Sequence, residues 1–414
     1  MSSKRSLTIL VAARDEEERI AVTVANLLLA FPGARVIVAD DGSRDATADV
    51  AENAGARVVR LPRRGKGQAL TLAERQAPAG PLLLCDADLR GDLSALVASD
   101  ADVAIAVFAR REGGGFGLAK RAAGALIRAF CGFETREPLS GQRHLSERAR
   151  AACFPLAAGF GVETRLTIDA VRAGLSVEEI ELPLEHRATG RDLRGFAHRG
   201  RQLVEIVLAC GPQGVNYRGL RLPLVGVLIG AAVPSVAPVT LVGAIDDRWS
   251  GPERGFRGHL GSGATTGVLK LVAIPLWGLA RTRSVSGALL VGLTANAVNQ
   301  LDTRPGRALK AFLIGSALVE SRPKRAAGLA VLLAPYDLRE MTMLGDAGSN
   351  ALGALLGLGS VKHFAGSGQG GGKSWIAIGA LAGLTVYGER NSLGRLIEKT
   401  PVLREFDALG RHPA

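Results

Sequence analysis

The chain has 414 residues, enough for two domains with separate cores. Its formal charge of +12 points to phosphorylated or anionic partners. Only 4% of the residues are aromatic and no basic stripe carries interleaved Tyr, Phe or Trp, so stacking on bases is poorly supported and no nucleic-acid partner is expected.

Met1 to Arg5 is followed by a short apolar run ending at Arg14, which is not a signal peptide, so the N-terminus is expected inside the cell. Up to about residue 212, short apolar runs alternate with helical patterns. Leu7–Ala12, Val36–Ala39, Arg57–Leu61 and Pro81–Cys85 read as buried strands, and Glu16–Ala30, Ala46–Ala54 and Gln68–Gln76 as helices. That order predicts an α/β domain over residues 1–212, with a mostly parallel sheet covered by helices on both faces. Cys85, Cys131, Cys153 and Cys210 show no CxxC spacing and read as reduced core residues.

Two acidic clusters follow strands, where such sheets bind ligands. Asp40-Asp41-Gly42-Ser43-Arg44-Asp45 follows the second strand; its carboxylates suit a nucleobase and a ribose, while Asp45 is placed to cap the next helix. Asp86-Ala87-Asp88 follows the fourth. Residues i and i+2 of an extended segment point the same way, so both carboxylates are expected to face one Mg²⁺ or Mn²⁺ that also meets substrate phosphates.

The strings VAARDEEERI, VADDGSRDAT, GKGQAL, CDADL, PLSGQR and FGVETRLTIDAVRAG resemble family 2 glycosyltransferases of the GT-A, Rossmann-like fold, near the dolichyl-phosphate mannosyltransferase and glucosyl-3-phosphoglycerate synthase groups. The resemblance implies that Ala13, Asp15 and Asp41 contact the nucleotide of a nucleotide-sugar donor and that Lys66 lies near its ribose or diphosphate. It makes Asp86 and Asp88 metal ligands, Asp88 also catalytic, with His186 completing the metal shell. Glu163 matches the acidic residue that faces the acceptor, as base or hydroxyl anchor. Relatives usually carry Asn in place of Asp15 and Asp in place of Glu137. The implied reaction is a direct, inverting displacement. A hydroxyl acceptor needs a base such as Glu163; a lipid phosphate is already anionic, and Arg187, Arg191 and Arg194 suit its phosphate.

After Gly211-Pro212 long Gly- and Ala-rich apolar stretches take over: Leu222–Ile245, Gly263–Ala280, Val285–Leu301, Ala308–Val319, Ala326–Ala334, Ala347–Val361 and Trp375–Val386. Their number and short basic connections predict an all-α polytopic membrane domain over residues 213–414 and a multi-pass place in the inner membrane, with the first domain cytoplasmic. Pro234 and Pro238 suggest a hairpin in the first stretch. Gly370-Gly371-Gly372-Lys373-Ser374 echoes a P-loop but lacks its first glycine and a preceding strand.

Polar motifs sit at the ends of these stretches: Asn216-Tyr217-Arg218-Gly219, Asp246-Asp247, Asn296 to Asn299 with Asp302, and Gly345-Asp346-Ala347-Gly348-Ser349. With the strings IDDRWSGPERGFRGHL, NAVNQLDTRPGRALKAF, MLGDAGSNALGALLG and IEKTPVLREFDALGR they resemble the polyprenyl-phosphate sugar-1-phosphate transferases, the superfamily of phospho-N-acetylmuramoyl-pentapeptide transferase. That resemblance implies catalytic roles for Asp246 and Asp247, substrate contacts at Asn296 and Asn299, and metal ligation by Asp302 and Asp346. The expected activity is therefore sugar transfer from a nucleotide-diphosphate donor to a polyprenyl-phosphate or related phosphorylated acceptor in envelope glycan or glycolipid synthesis. The alternative is a soluble acceptor, as in a glucosyl-phosphoglycerate, with the second half a degenerate anchor or scaffold.

Overall fold

The structure, a computed structural model, describes residues 6–89, 91–108, 117–183, 193–249, 266–319, 324–366 and 370–411. The chain divides into two compact units between Pro223 and Leu224.

In the first unit, β1 (Thr8–Ala13), β2 (Arg35–Asp40), β3 (Arg57–Arg60) and β4 (Leu82–Asp86) are the strands expected, and β5 (Val103–Phe108), β6 (Arg143–Leu145) and β7 (Val177–Leu182) join them. The order across the sheet is β3-β2-β1-β4-β6-β5-β7. All pairings are parallel except those of β6, which runs antiparallel to both β4 and β5. The apolar runs are continuous because both faces are covered. On one face Ile9, Val11 and Ala13 pack with Ile20, Val24 and Leu27 of α1 (Ile20–Ala30) and Ala51 of α2 (Thr47–Asn53). On the other, Leu10 meets Ala69, Leu70 and Ala73 of α3 (Lys66–Glu74), with Leu96 of α4 (Ser94–Ala98) buried on the first face. The inserted β6 gave no sequence signal, since Arg-His-Leu has no apolar alternation and is buried by the strands on either side.

The unit continues through α5 (Leu118–Cys131), α6 (Glu147–Cys153), α7 (Val162–Arg172) and α8 (Leu193–Cys210) to a hairpin, β8 (Gln213–Val215) and β9 (Arg221–Pro223). Its turn is Asn216-Tyr217-Arg218-Gly219, a motif expected to serve the second half. It belongs instead to the first unit, where the Arg75 guanidinium donates to the carbonyls of Arg218 at 2.9 Å and Gly219 at 2.8 Å. Cys85, Cys153 and Cys210 are buried free thiols and Cys131 a half-buried one.

The second unit is helical: α9 (Val227–Ala232), α10 (Ala237–Trp249), α11 (Thr266–Thr282), α12 (Val285–Leu301), α13 (Arg307–Leu318), α14 (Lys324–Asp337), α15 (Gly345–Gly366), α16 (Gly370–Asn391), α17 (Leu393–Lys399) and α18 (Pro401–Ala408). The first apolar stretch breaks at a 3₁₀ turn, Pro234–Val236, between α9 and α10. Glycine does the close packing at the centre. A Cβ on Gly353 of α15 would lie 2.6 Å from Ala295 Cα, and one on Gly357 would lie 2.7 Å from Val291 Cα, both on α12.

Here the structure corrects the sequence. Among the described residues no helix is long and apolar enough to cross a membrane, which overturns the multi-pass inner-membrane expectation. The α11 and α12 helices have 17 residues each, short of the roughly 20 a bilayer needs. The 22-residue helices α15 and α16 are long enough, but Gly, Ser, Asn and charged residues dilute their apolar content. The Gly- and Ala-rich stretches taken for membrane spans instead hold small residues that let helices approach closely.

Candidate active site

Loops at the carboxyl ends of β1, β2 and β4 form the first site, and backbone bonds fasten them together. The Asp41 amide donates to the Ala13 carbonyl at 3.0 Å, one step beyond the β1–β2 ladder. The Asp41 carboxylate then accepts the Arg64 amide at 2.6 Å and the Gly65 amide at 2.9 Å, just before α3. Burial raises the Asp41 carboxyl above its ordinary value, and the two amides only partly offset this. Gly65 needs its positive φ of 99° to turn both amides inward.

Asp15 is placed to clasp rather than to reach outward. Its backbone holds a positive φ of 54°, costly for a residue with a Cβ. Its amide donates to Ser43 Oγ at 3.0 Å and its carboxylate accepts the Arg44 amide at 2.8 Å. The Glu16 amide donates to Thr47 Oγ1 at 2.7 Å, so the β1 loop is stitched to the start of α2.

Lys66 opens α3 and bridges two carboxylates, with Nζ 2.6 Å from Asp86 Oδ1 and 2.7 Å from Glu163 Oε1. Burial alone would lower the ammonium, but Asp86 and Glu163 outweigh it and hold Lys66 above the usual lysine range. Glu163 lies buried in the first turn of α7. Gly141 presses against this group, since a Cβ there would lie 2.2 Å from Asp86 Oδ2 and 2.6 Å from Lys66 Nζ.

Beneath it Arg143 is 1% exposed. It donates from Nε to the Ser140 carbonyl at 2.8 Å, from one terminal nitrogen to Thr167 Oγ1 at 2.8 Å and from the other to the Pro138 carbonyl at 3.3 Å. Burial lowers its pKa to about 10.

Asp88 stands exposed in a turn, because β4 ends at Asp86; the expectation that both carboxylates share one extended face does not hold. The turn is fixed by Thr23 Oγ1, which donates to the Ala87 carbonyl at 2.7 Å. Among the described residues no three His, Cys, Asp or Glu side chains gather as a metal site. His186, Arg187 and Arg191, and the side chain of Arg194, lie outside the described residues.

The second unit carries its own cluster. Lys270 of α11 pairs with Asp246 Oδ2 at 2.5 Å and with the Asp346 carboxylate. Asp247 is occupied otherwise: its two oxygens accept the amides of Asp346 and Ala347, each at 2.9 Å, capping α15 from a distant helix. Burial pushes Asp247 up to about 6 despite those amides. Asp302 lies in the same electrostatic neighbourhood, raised well above the usual range by burial and by Asp337, Asp346 and Asp247. Asn296 and Asn299 line a cavity of about 380 Å³ with Lys270, Gln300, Asn350 and Glu389. Asn296 also donates to Thr385 Oγ1 at 3.2 Å, and Asn299 accepts from Ser349 Oγ at 2.7 Å.

A model of glycosyl transferase family 2 matches residues 8–122. Over 244 residues the chain is 30% identical to glucosyl-3-phosphoglycerate synthase of Mycolicibacterium paratuberculosis, a match spanning 50% of this chain and 73% of that protein. The chain belongs to glycosyl transferase family 2. This family 2 enzyme is also 29% identical over 205 residues to glycosyltransferase AglJ of Haloferax volcanii, across 46% of its own length and 67% of the relative's. Among solved structures, it is 26% identical to Mycobacterium tuberculosis glucosyl-3-phosphoglycerate synthase in complex with Mn²⁺, UDP and glucosyl-3-phosphoglycerate, covering 53% of this chain and 87% of that one with a TM-score of 0.43.

It is a nucleotide-sugar glycosyltransferase. The structure brings Lys66, Asp86 and Glu163 of this family 2 transferase into direct contact and seats Asp15 and Asp41 in its loop clasp. Sequence reasoning missed Gly141, Arg143 and Lys270. The first two were visible inside PLSGQR, and Lys270 as a lone charge in an apolar run, where a buried ammonium needs a partner.

Proposed function

We propose that the first unit transfers a sugar from a nucleoside-diphosphate donor to the hydroxyl of a small phosphorylated acceptor, of the phosphoglycerate type, with inversion at the anomeric carbon. The observation that carries this reading is Lys66 bridging Asp86 and Glu163. One lysine thereby links the carboxylate expected at the donor phosphates to the one expected at the acceptor. The acceptor class is supported by the 30% identity to a protein named glucosyl-3-phosphoglycerate synthase.

The Asp15 and Asp41 loops receive the nucleotide. Asp86 ends a buried strand and Asp88 stands in the turn after it, one half-buried and one exposed, and their hard oxygens suit Mg²⁺ or Mn²⁺ together with substrate phosphates. That cation would neutralise charge on the departing diphosphate. Lys66 adds a fixed positive charge at the same end. Glu163 orients the acceptor hydroxyl and takes its proton as the sugar is displaced. Arg187 and Arg191 are the candidates to hold the acceptor's phosphate.

The test is release of nucleoside diphosphate by the full chain from UDP-glucose or GDP-mannose with Mn²⁺, with and without 3-phosphoglycerate. Release should depend on the acceptor and vanish in Asp88→Ala. A product that partitions into organic solvent when polyprenyl phosphate is supplied instead would replace the small acceptor with the lipid one. Absence of acceptor-dependent release with every pairing would end the proposal.

A second reading concerns the helical unit, favoured by the gathering of Asp246, Asp346 and Lys270. With Asp302 and Asp346 as cation ligands and Asn296 and Asn299 as contacts, the cluster suits a nucleotide diphosphate. On that reading Asp346→Ala stops release of nucleoside monophosphate and spares release of the diphosphate. An unchanged product set leaves the unit as a scaffold.

A further inference from the structure

Arg143 has no role in the donor and acceptor contacts described above, yet it is the largest of the fully buried side chains. A guanidinium in a protein core costs several kcal/mol unless its hydrogen bonds are well made, and an apolar residue of similar volume usually serves a core better. Among the described residues no carboxylate hydrogen-bonds Arg143. Its three bonds go to neutral acceptors: the carbonyls of Pro138 and Ser140 and the hydroxyl of Thr167.

Those acceptors are what give the arginine a purpose. Pro138 and Ser140 belong to the segment that delivers Gly141 against Asp86 and Lys66. Thr167 lies one turn after Glu163 on α7, and its hydroxyl donates to the Glu163 carbonyl at 3.0 Å. One rigid fork therefore ties the segment behind Asp86 and Lys66 to the helical turn that carries Glu163. Lysine cannot reproduce this, having a single nitrogen on a flexible stem. We propose that Arg143 is a positioning residue for sugar transfer, locking the Pro138–Gly141 segment to α7 so that Lys66 stays seated between Asp86 and Glu163. This rests on the reading of those three residues given under Proposed function.

The inference is tested on the full chain with Arg143→Met, Arg143→Lys and Thr167→Val. Each is titrated with UDP and with GDP in the presence of Mn²⁺, and its melting temperature is recorded. Losing a buried, charged hydrogen-bonding group corresponds to a change of about tenfold or more in an equilibrium constant. Arg143→Met should therefore weaken binding of whichever diphosphate the wild type takes by about tenfold. Arg143→Lys should recover part of the loss. Thr167→Val keeps the charge while cutting the link to α7 and the hydroxyl's own bond to the Glu163 carbonyl, and should cost about threefold in affinity with a smaller drop in melting temperature than Arg143→Met. If Arg143→Met does not fold, the ranking of wild type above Arg143→Lys and Thr167→Val carries the test. Wild-type dissociation constants in the folded variants, with only the melting temperature lowered, would overturn the proposal and leave Arg143 as core packing. No binding by the wild type would strike first at the donor site of the proposed function and take this inference with it.

Discussion

The two units use the same pair of devices in different settings. In each, a lysine lies between two carboxylates: Lys66 with Asp86 and Glu163, and Lys270 with Asp246 and Asp346. Each also has a distant aspartate that accepts two amides at the start of a helix, Asp41 for α3 and Asp247 for α15. In the sheet unit Lys66 opens α3, Asp86 ends β4, Glu163 lies in the first turn of α7 and Asp41 follows β2. The exposed Asp88 stands two residues beyond Asp86, at the end of the sheet where such folds bind ligands. In the helical unit the devices join three helices, and the cap consumes both oxygens of Asp247. The same pair of devices thus supports the proposed sugar transfer in one unit, and in the other it also joins helices; what differs is the company it keeps.

The largest expected effect breaks or keeps that contrast directly. Lys66→Met leaves Asp86 and Glu163 facing each other without their cation, and transfer should fall by about a thousandfold. Lys270→Met should leave sugar transfer within about twofold and cost about 3 kcal/mol of stability, as removal of one partner from a buried pair does. Steady-state kinetics and thermal unfolding of the two variants give the comparison. Equal losses of transfer in both would show that the lysines are not doing different things.

A smaller effect uses the glycines packed against each cluster. A Cβ on Gly141 would meet Asp86 and Lys66 at 2.2 and 2.6 Å, whereas one on Gly345 would lie 2.7 Å from the Asp247 carboxylate. Gly141→Ala should lower kcat by about a hundredfold, the scale of an ångström's misplacement near the chemistry. Gly345→Ala, at a φ of +60°, should register in the melting temperature and not in kcat. A fully active Gly141→Ala would mean that Asp86 can move without consequence.

How much of this was legible beforehand follows from what sequence patterns encode. Strands β1, β2 and β4 were readable because each is an apolar run buried on both faces, and the acidic clusters because they terminate such runs; β3, Arg-Val-Val-Arg, was expected as a buried strand but buries only Val59 and exposes both arginines. β6 was not, because a three-residue strand is buried by its neighbours rather than by its own composition. Lys66 was placed near the donor on resemblance, but its bridge to Glu163 joins residues 97 positions apart, which no local pattern records. The helical unit failed in the other direction. Gly353 and Gly357 look apolar in a window average, while their purpose is close approach to α12. The use of Asp247 as a cap was hidden because its partners are amides, which every residue but proline has.

That cap supplies the next prediction. Asp247→Ala removes the acceptor of two amides at the start of α15 and should cost about 1–2 kcal/mol, the range for a lost helix cap, with transfer unchanged. Asp41→Ala should cost a similar amount and also weaken nucleotide binding, measured by calorimetry with UDP or GDP. Unaltered nucleotide affinity in Asp41→Ala would make Asp41 a second Asp247, a purely structural cap, and erase the functional half of the contrast.

The smallest effect is a difference in response to acid. Burial lowers the His144 imidazole of β6 below its ordinary 6.5. The unfolded chain then takes up a proton that the folded chain refuses, so the stability present above pH 6.5 drains as pH falls through it. In the helical unit, burial pushes Asp337 up to about 6, although it accepts the Gly306 amide at 2.6 Å. Here the folded chain holds the proton more tightly, so stability is gained as pH falls from about 6 towards the unfolded value of 3.8 and lost again on the way up. Between pH 7 and 5 the two groups therefore pull in opposite directions within one chain. In thermal unfolding across that range, His144→Gln should remove part of the loss on acidification and Asp337→Asn part of the gain. The two slopes should move apart from the wild type with opposite sign. Slopes that move together would mean that burial is not what sets these two protons.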